Sequence, residues 1–349
     1  MEHVVISLKG EGFYGERLRA NGLVLYCFKF GRFFQLASFF EFIRLIRLVA
    51  SVSPDVVQTW LYHADLIGGV AARLAGCRRV VWGVRTSRLS PSLNSRFTRI
   101  VAWLCARLSR IVPVAIATCS IEAAKEHKRM GYDPAKFHVI ANGFDLDAYA
   151  SDTTRRLQLR EEWGVAEGEV LLGCVARWDP YKDHSNLLQA LSVVADKGAA
   201  IRCVLVGGGL TPDNAELMGL LSKYNLTESV VLAGSRGDIP AVMNALDFHV
   251  LPSASEAFPN VVAEAMACGT PCIVTDVGDA AMIVGDTGWI VPPKNPDLLA
   301  RAIEEASQGW RSENYSRRRM QARARIVGNF SLERMTKAYI YLWQSVVLK

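Results

Sequence analysis

The sequence predicts an α/β protein built from two doubly wound domains. Three observations carry that prediction. Strand-like apolar runs alternate with helical patterns along the chain, its 349 residues exceed one ordinary core, and a polar stretch over 143–168 separates two such series. Half of the residues are hydrophobic and 21% are charged, which supplies apolar material for two buried sheets and excludes a disordered chain.

The first series is HVVISL, LVLYCF, VVQTW, RVVWGV, AIATC and HVIAN, and its spacing predicts parallel strands joined by helical crossovers in a domain over 1–150. The segment GFDLDAYASDTTRRLQLREEWGVAEGE reads as charged and turn-rich, and the domain boundary is placed in it. The second series is VLLGCVAR, IRCVLVGGG, VVLAGS, FHVLP, CIVTD and GWIVP, which predicts another doubly wound sheet over 151–330. LERMTKAYIYLWQSVVL has apolar residues at helical spacing and no strand after it, so residues 331–349 are expected to cross back onto the first domain.

Eight cysteines (27, 77, 105, 119, 174, 203, 268 and 272) are scattered and mostly sit inside apolar runs. They read as buried thiols of a reducing cytoplasm, with neither a disulfide framework nor a zinc set. No signal-peptide pattern opens the chain, and arginines interrupt the apolar runs at 36–50 and 101–119, so no spanning helix is expected. Segment 28–51 interleaves Lys29, Arg32, Arg44 and Arg47 with aromatic and aliphatic residues, the composition of an interfacial helix. The favoured reading is an amphipathic helix packed on a sheet with its basic residues in solvent, and peripheral contact of one flank with a membrane surface is compatible with it. The net charge of +6 is modest and no nucleic-acid motif is present, so no nucleic acid is expected.

The strongest constellation runs from Ser255 to Cys272. Ser255–Pro259 reads as a loop after a strand ending near Leu251, and Asn260–Cys268 as a helix stopped by Gly269 and Pro271. A loop feeding a helix N-terminus at a strand's C-terminal edge offers unpaired N–H groups and the positive end of the helix dipole, which suits a diphosphate. Glu256 lies in the loop and Glu264 about one turn into the helix, so the two carboxylates reach separate hydroxyl groups of one elongated ligand. Either acid alone reads equally well as a cap or a surface charge.

The string EAFPNVVAEAMACGTPCIVTDVGD resembles the donor-binding signature of glycosyltransferase family 4, a retaining family of the GT-B fold, in which two Rossmann-like domains face a cleft. The resemblance implies that Glu256 contacts donor-sugar hydroxyls, that Glu264 binds the ribose, and that the amides around Phe258, Pro259 and Asn260 hold the distal phosphate. Ala257 stands where the family usually has glycine. GCVARWDPYKDHSNLLQAL resembles the segment carrying the family's basic pair, which assigns Arg177 and Lys182 to the donor diphosphate and the leaving group. Such fixed cations stabilise the charge that builds as a sugar–diphosphate bond breaks. VVLAGSRGDIPAVMNALDFHVLPS resembles the base-binding strand and helix, placing Ser235 and Arg236 near the nucleobase through backbone atoms. The glycine turn VLVGGG is consistent with the family and not diagnostic.

In the first half, PDVVQTWLYHADLIGGVAARLAGCRRVVWGVRTS is similar in character to the family's acceptor-domain strand–helix–strand unit. His63, alone beside an apolar helix, reads first as a packing or capping residue and second as a group facing the acceptor. Many members carry a histidine where this chain has Arg85, so Arg85 is read as binding a phosphate of acceptor or donor instead. Asp145 and Asp147 read as structural; no metal and no cofactor beyond the nucleoside-diphosphate sugar are expected. Members open with a strand and glycine-rich loop ahead of the segment that starts here at His3, so the N-terminal domain is expected to lack its first strand, with donor binding kept and turnover impaired. A shortened start or fragment of a longer gene is the favoured explanation over a variant that fills the gap differently.

The resemblance implies a retaining glycosyltransferase that moves a sugar from a nucleoside-diphosphate sugar to a saccharide or lipid-linked saccharide in cell-envelope polysaccharide synthesis. The same residues also fit a nucleotide-sugar epimerase or phosphorylase on this fold, or a donor-binding but inactive relative.

Overall fold

The computed structural model describes residues 2–31, 36–86, 89 and 95–348. Arg32 of the basic and aromatic segment lies outside them. Contacts divide the chain into two units. Unit 1 holds the residues up to Thr118, Ala124–Val139 and the chain from Tyr341 on; unit 2 holds Cys119–Ala123 and Ile140–Ile340.

Unit 1 runs β1 (Val4–Ser7), α1 (Gly15–Ala20), β2 (Val24–Cys27), α2 (Leu36–Val52), β3 (Val57–Gln58), α3 (Tyr62–Leu74), β4 (Val80–Val84), α4 (Arg96–Leu108), β5 (Ala115–Thr118), α5 (Ile121–Arg129) and β6 (Phe137–Val139), with the first residues of α5 clustering with unit 2. Each strand pairing is parallel, as the crossover spacing predicts. The strands do not form one sheet: β1 pairs with β2, and β3-β4-β5-β6 form a separate sheet among the described residues. β4 and β5 are buried along their whole length, so they read as unbroken apolar runs, the mark of inner strands covered on both faces. In α2, Leu45 and Val49 are buried while Arg44 and Arg47 face solvent. The packed amphipathic helix is therefore what forms there, with Phe39 and Phe40 left exposed near its start.

Unit 2 runs α6 (Thr153–Glu162), β7 (Val170–Val175), α7 (His184–Ala195), β8 (Ile201–Val206), α8 (Ala215–Lys223), β9 (Val230–Gly234), α9 (Ile239–Ala245), β10 (Phe248–Leu251), α10 (Asn260–Ala267), β11 (Cys272–Thr275), α11 (Ala280–Val284), β12 (Trp289–Val291), α12 (Pro296–Gln308), α13 (Glu313–Asn329) and α14 (Leu332–Val347), the last helix ending within unit 1. Its six strands form one parallel sheet in the order β12-β11-β10-β7-β8-β9. Along β7, Val170, Leu172 and Cys174 enter one core layer and Leu171 and Val175 the other, the period-two alternation of a strand covered on both faces. The chain leaves β7 through β8 and β9 and returns to the other side of β7 as β10. That reversal opens a crevice at the C-terminal ends of β7 and β10.

The stretch read as turn-rich contains a helix. In α6, Arg156 and Arg160 stand one turn apart and both donate to the buried carboxylate of Asp247, Arg160 at 2.9 Å, while Leu171 N–H donates to it at 2.8 Å. A distant buried acid orders this charged segment, a pairing that local composition does not reveal. All eight cysteines are free thiols, six buried and two half-buried. Among the described residues no helix is long and apolar enough to cross a membrane, and no group of three or more His, Cys, Asp or Glu residues is placed to hold a metal.

One buried acid in unit 1 has a pH consequence. Asp65, in the first turn of α3, is fully buried and accepts from Thr59 Oγ1 at 2.5 Å and Gly83 N–H at 3.2 Å, while its Oδ2 has no partner among the described residues. Burial outweighs these hydrogen bonds and pushes its pKa up to about 8 from an ordinary 3.8. A raised folded-state pKa means that the native state holds the proton more tightly. The resulting stabilisation is complete below the ordinary aspartate range and is lost as pH climbs to about 8. Asp65→Asn, which keeps an acceptor for Thr59, is expected to flatten the fall in unfolding temperature across that window; differential scanning calorimetry against pH measures it.

Candidate functional site

The candidate site forms where the loops after β7 and β10 meet. β7 is followed by a 3₁₀ turn, Pro180–Lys182, set by Asp179, whose Oδ1 accepts the Tyr181 N–H at 2.9 Å. This turn delivers Lys182 toward the β10 loop, where its Nζ donates to Glu256 Oε1 at 2.7 Å. Ser253 Oγ donates to the same oxygen at 2.7 Å, and Glu256 Oε2 accepts no hydrogen bond among the described residues. The pair is largely shielded, with side chains 22% and 10% exposed, so each charge depends on the other.

Two neutral imidazoles stand near this ammonium. His249 on β10 and His184 at the start of α7 are buried and find no hydrogen-bond partner among the described residues. Burial, reinforced by Lys182, lowers their pKa values to about 3 and about 4 respectively. Both rings stay uncharged near neutral pH and leave the local positive charge on Lys182.

The β10 loop is fixed at several points. Ala254 N–H donates to Tyr181 O at 2.8 Å, Thr275 Oγ1 donates to Ser253 O at 2.7 Å, and Asp279 N–H donates to Ala257 O at 2.9 Å. Phe258 is buried between Phe144 and Phe330. Pro259 is the N-cap of α10 and offers no side-chain cap, and the first turn holds no acid, so the Asn260 and Val261 N–H groups begin the helix without a carbonyl behind them. Pro259 has no N–H and sets the geometry of the helix start, so the amides around it are those of its neighbours. One turn on, burial raises the pKa of Glu264, an effect partly offset by the Tyr149 hydroxyl beside it.

The other sequence-predicted residues divide. Arg177 bonds Asp179 through Nε and Nη2 at 3.1 and 2.9 Å but keeps 70% of its side chain exposed, at the mouth of the same β7 turn. Burial opposes ionisation of Asp179, yet the Tyr181 N–H and the Arg177 guanidinium together hold its carboxyl below the ordinary range. Ser235 is exposed after β9. Arg236 is committed to Asp238 at 2.8 Å and Glu162 at 2.7 Å, so its side chain serves an ion cluster. In unit 1, His63 lies on the first turn of α3 with its ring 5.7 Å from that of Phe97, and burial lowers its pKa. Arg85 follows β4 and stacks over the Trp60 ring at 4.6 Å.

The profile of Glycosyltransferase Family 4 matches residues 1–148, and that of Glycosyl transferases group 1 matches residues 155–326. The chain is 30% identical over 277 residues to the UDP-Gal:alpha-D-GlcNAc-diphosphoundecaprenol alpha-1,3-galactosyltransferase of Escherichia coli, covering 75% of this chain and 68% of that protein. The chain belongs to glycosyltransferase family 4.

Another relative, the D-inositol 3-phosphate glycosyltransferase of Rhodococcus erythropolis, is 33% identical over 199 residues, which span 54% of this chain and 44% of that protein. The crystal structure of HepE from Anabaena in complex with UDP superposes with a TM-score of 0.83 at 22% identity, covering 98% of this chain and 92% of that one, so this glycosyltransferase has the GT-B fold.

Within the family pattern, several positions escaped the sequence reading because they act from a distance. Ser253 precedes the recognised string, and Tyr149 reaches Glu264 from a segment read as hinge entry. The Asp279 carboxylate accepts the N–H groups of Ile121 and Glu122 at 2.8 and 3.2 Å, in the segment that clusters with unit 2. Two glycines matter for their missing Cβ. At Gly207 a Cβ would stand 2.1 Å from Ala176 O, so the VLVGGG turn exists to let the Arg177 loop pass. At Gly278, with φ +57°, a Cβ would stand 2.5 Å from Ala257 O and 2.6 Å from Glu256 O. Gly278→Ala is therefore expected to displace the Glu256 loop, costing about 1–3 kcal/mol of stability and weakening nucleoside-diphosphate binding. Thermal unfolding and calorimetric titration with UDP test this together.

Proposed function

We propose that this chain transfers a sugar from a nucleoside-diphosphate sugar, held by unit 2, to a saccharide acceptor taken by unit 1, with retention at the anomeric carbon. The observation that carries the reading is the Lys182–Glu256–Ser253 cluster beside the uncapped start of α10. Breaking a sugar–diphosphate bond puts negative charge on the departing phosphate. Lys182, the exposed Arg177 guanidinium and the α10 N–H groups are the donors suited to stabilise it. Glu256, with Oε1 held by Lys182 and Ser253, has Oε2 available for a hydroxyl of the donor sugar. Glu264, one turn further along α10, is the acid suited to the ribose, and Tyr149 orients it. Ser235 and the backbone of Arg236, at the end of β9, belong on the base side of the same strand edge.

Among acceptors, a lipid-linked saccharide is the class we favour, for a role in cell-envelope polysaccharide synthesis. The Escherichia coli relative, by its name, acts on a saccharide carried by diphosphoundecaprenol, and Arg85 supplies a cation suited to a phosphate on such an acceptor. Contact of unit 1 with a membrane surface is part of this reading, since a lipid-linked acceptor remains in the bilayer.

Lys182→Met is expected to lower kcat by roughly 10²–10³, the loss seen when one transition-state charge stabiliser is removed. Glu256→Gln, which keeps the shape of the side chain, is expected to abolish transfer while UDP still binds. Screening nucleotide sugars by thermal shift identifies the donor, steady-state kinetics measures the variants, and NMR of the product linkage reads retention directly. Full transfer by the Glu256 variant, or inversion in the product, would overturn the corresponding part of the reading.

A further inference from the structure

Charge is distributed very unevenly along this chain. Between Leu66 and Ile121 there are nine arginines and not one Asp or Glu, so the remainder of a chain of net charge +6 is net negative. α4 lies in the middle of this run. Its buried face is Val101, Ala102, Cys105 and Ala106, which pack into the unit 1 core. On the opposite face, spacings of three and four residues align Arg96, Ile100, Trp103 and Arg107 in one stripe, with Phe97 on its flank.

The apolar members of that stripe stand in water: Ile100 is 55% exposed and Trp103 53%. The Arg107 guanidinium stacks over the Trp103 ring at 4.9 Å, and neither Arg96, Arg107 nor Arg110 makes an ion pair among the described residues. Beyond the helix, Arg110 and Ile111, the latter 64% exposed, extend the stripe. Their turn is held by Lys136, whose Nζ donates to Ser109 O, Arg110 O and Pro113 O at 2.9, 2.6 and 2.9 Å. The surface is thus a fixed one, with indole, aliphatic and guanidinium groups side by side.

We infer that the outer face of α4 and the turn after it dock unit 1 on an anionic phospholipid surface. Arginines meet the lipid phosphates, and Ile100, Trp103 and Ile111 enter the headgroup region, where an aromatic ring with one polar edge is at home. The choice of a lipid surface over a soluble polyanion rests on those exposed apolar groups, which a nucleic acid or an acidic protein segment does not need. This deepens the acceptor reading by assigning the membrane contact to α4 and its following turn, whereas the composition of segment 28–51 had pointed to α2.

Vesicle co-sedimentation with the full chain tests it, using phosphatidylcholine alone and phosphatidylcholine mixed with phosphatidylglycerol. The chain is expected to bind the mixed vesicles, less so as salt rises. Arg107→Gln and Arg110→Gln are each expected to reduce partitioning about fivefold, from about 1 kcal/mol per basic residue at an anionic surface. Ile100→Ser with Trp103→Ser is expected to abolish most of the remainder, with an unchanged unfolding temperature confirming the fold. Arg47→Gln on α2 is expected to have little effect. Loss on the α2 change but not on the α4 changes would overturn the assignment to α4 and leave the membrane contact standing. Undiminished binding by the serine variant would overturn insertion and point to a polyanion partner, and no binding of the parent chain to mixed vesicles would overturn both the surface and the membrane contact. Transfer to a soluble acceptor is unaffected by any of these outcomes, so a failed lipid assay is distinguishable from a failed enzyme assignment.

Discussion

The ion pair between Lys182 and Glu256 is the contact on which the candidate site depends, and it exists because the unit 2 sheet reverses its order between β7 and β10. Lys182 and Glu256 are separated by more than seventy residues, and the reversal makes their loops neighbours at one strand edge. The pair is sheltered enough that removing either partner strands a charge, so it constrains both loops at once. Ser253 on the same carboxylate oxygen and two uncharged histidines nearby leave one ammonium and one open carboxylate oxygen as the polar groups at its centre.

Around that pair the backbone is packed at contact distance. The Arg177 loop passes over Gly207 and the Glu256 loop over Gly278, at separations where a methyl group would overlap a carbonyl oxygen. Asp279 N–H, Thr275 and Tyr181 then hold the Glu256 loop by hydrogen bonds from three other segments. A site built this way presents its charges without having to order them when a ligand arrives, which is the physical meaning of preorganisation. The same principle operates at the far end of the sheet, where Asp247 organises α6 through two arginines.

Unit 1 is chemically different. Burial holds the pKa of its Asp65 high, and its outer surface along α4 concentrates arginine beside exposed aromatic and aliphatic groups. His63, on the first turn of α3, and Arg85, after β4, rest on aromatic partners, Phe97 and Trp60. Phe97 belongs to α4, so the helix that carries the basic stripe also packs beside the candidate acceptor residue His63.

The twelve strands among the described residues were legible in the sequence as short apolar runs, most plainly where a strand is buried on both faces, as in β4, β5, β7, β10 and β11. The string around Glu256 and Glu264 was legible for a similar reason: loop, helix start and both acids are local. Sheet order, the division of unit 1 into two sheets, the helix at α6 and the partners of Glu256 were not, since each rests on groups far apart in the chain. Arg236 shows the limit most clearly, because its position after a strand does not reveal that Asp238 and Glu162 take its guanidinium. The sequence by itself determined the strands and which acids and bases follow them. Only the tertiary structure decided which of those charges pair, because pairing is a matter of distances that the strand order sets and that no local pattern contains.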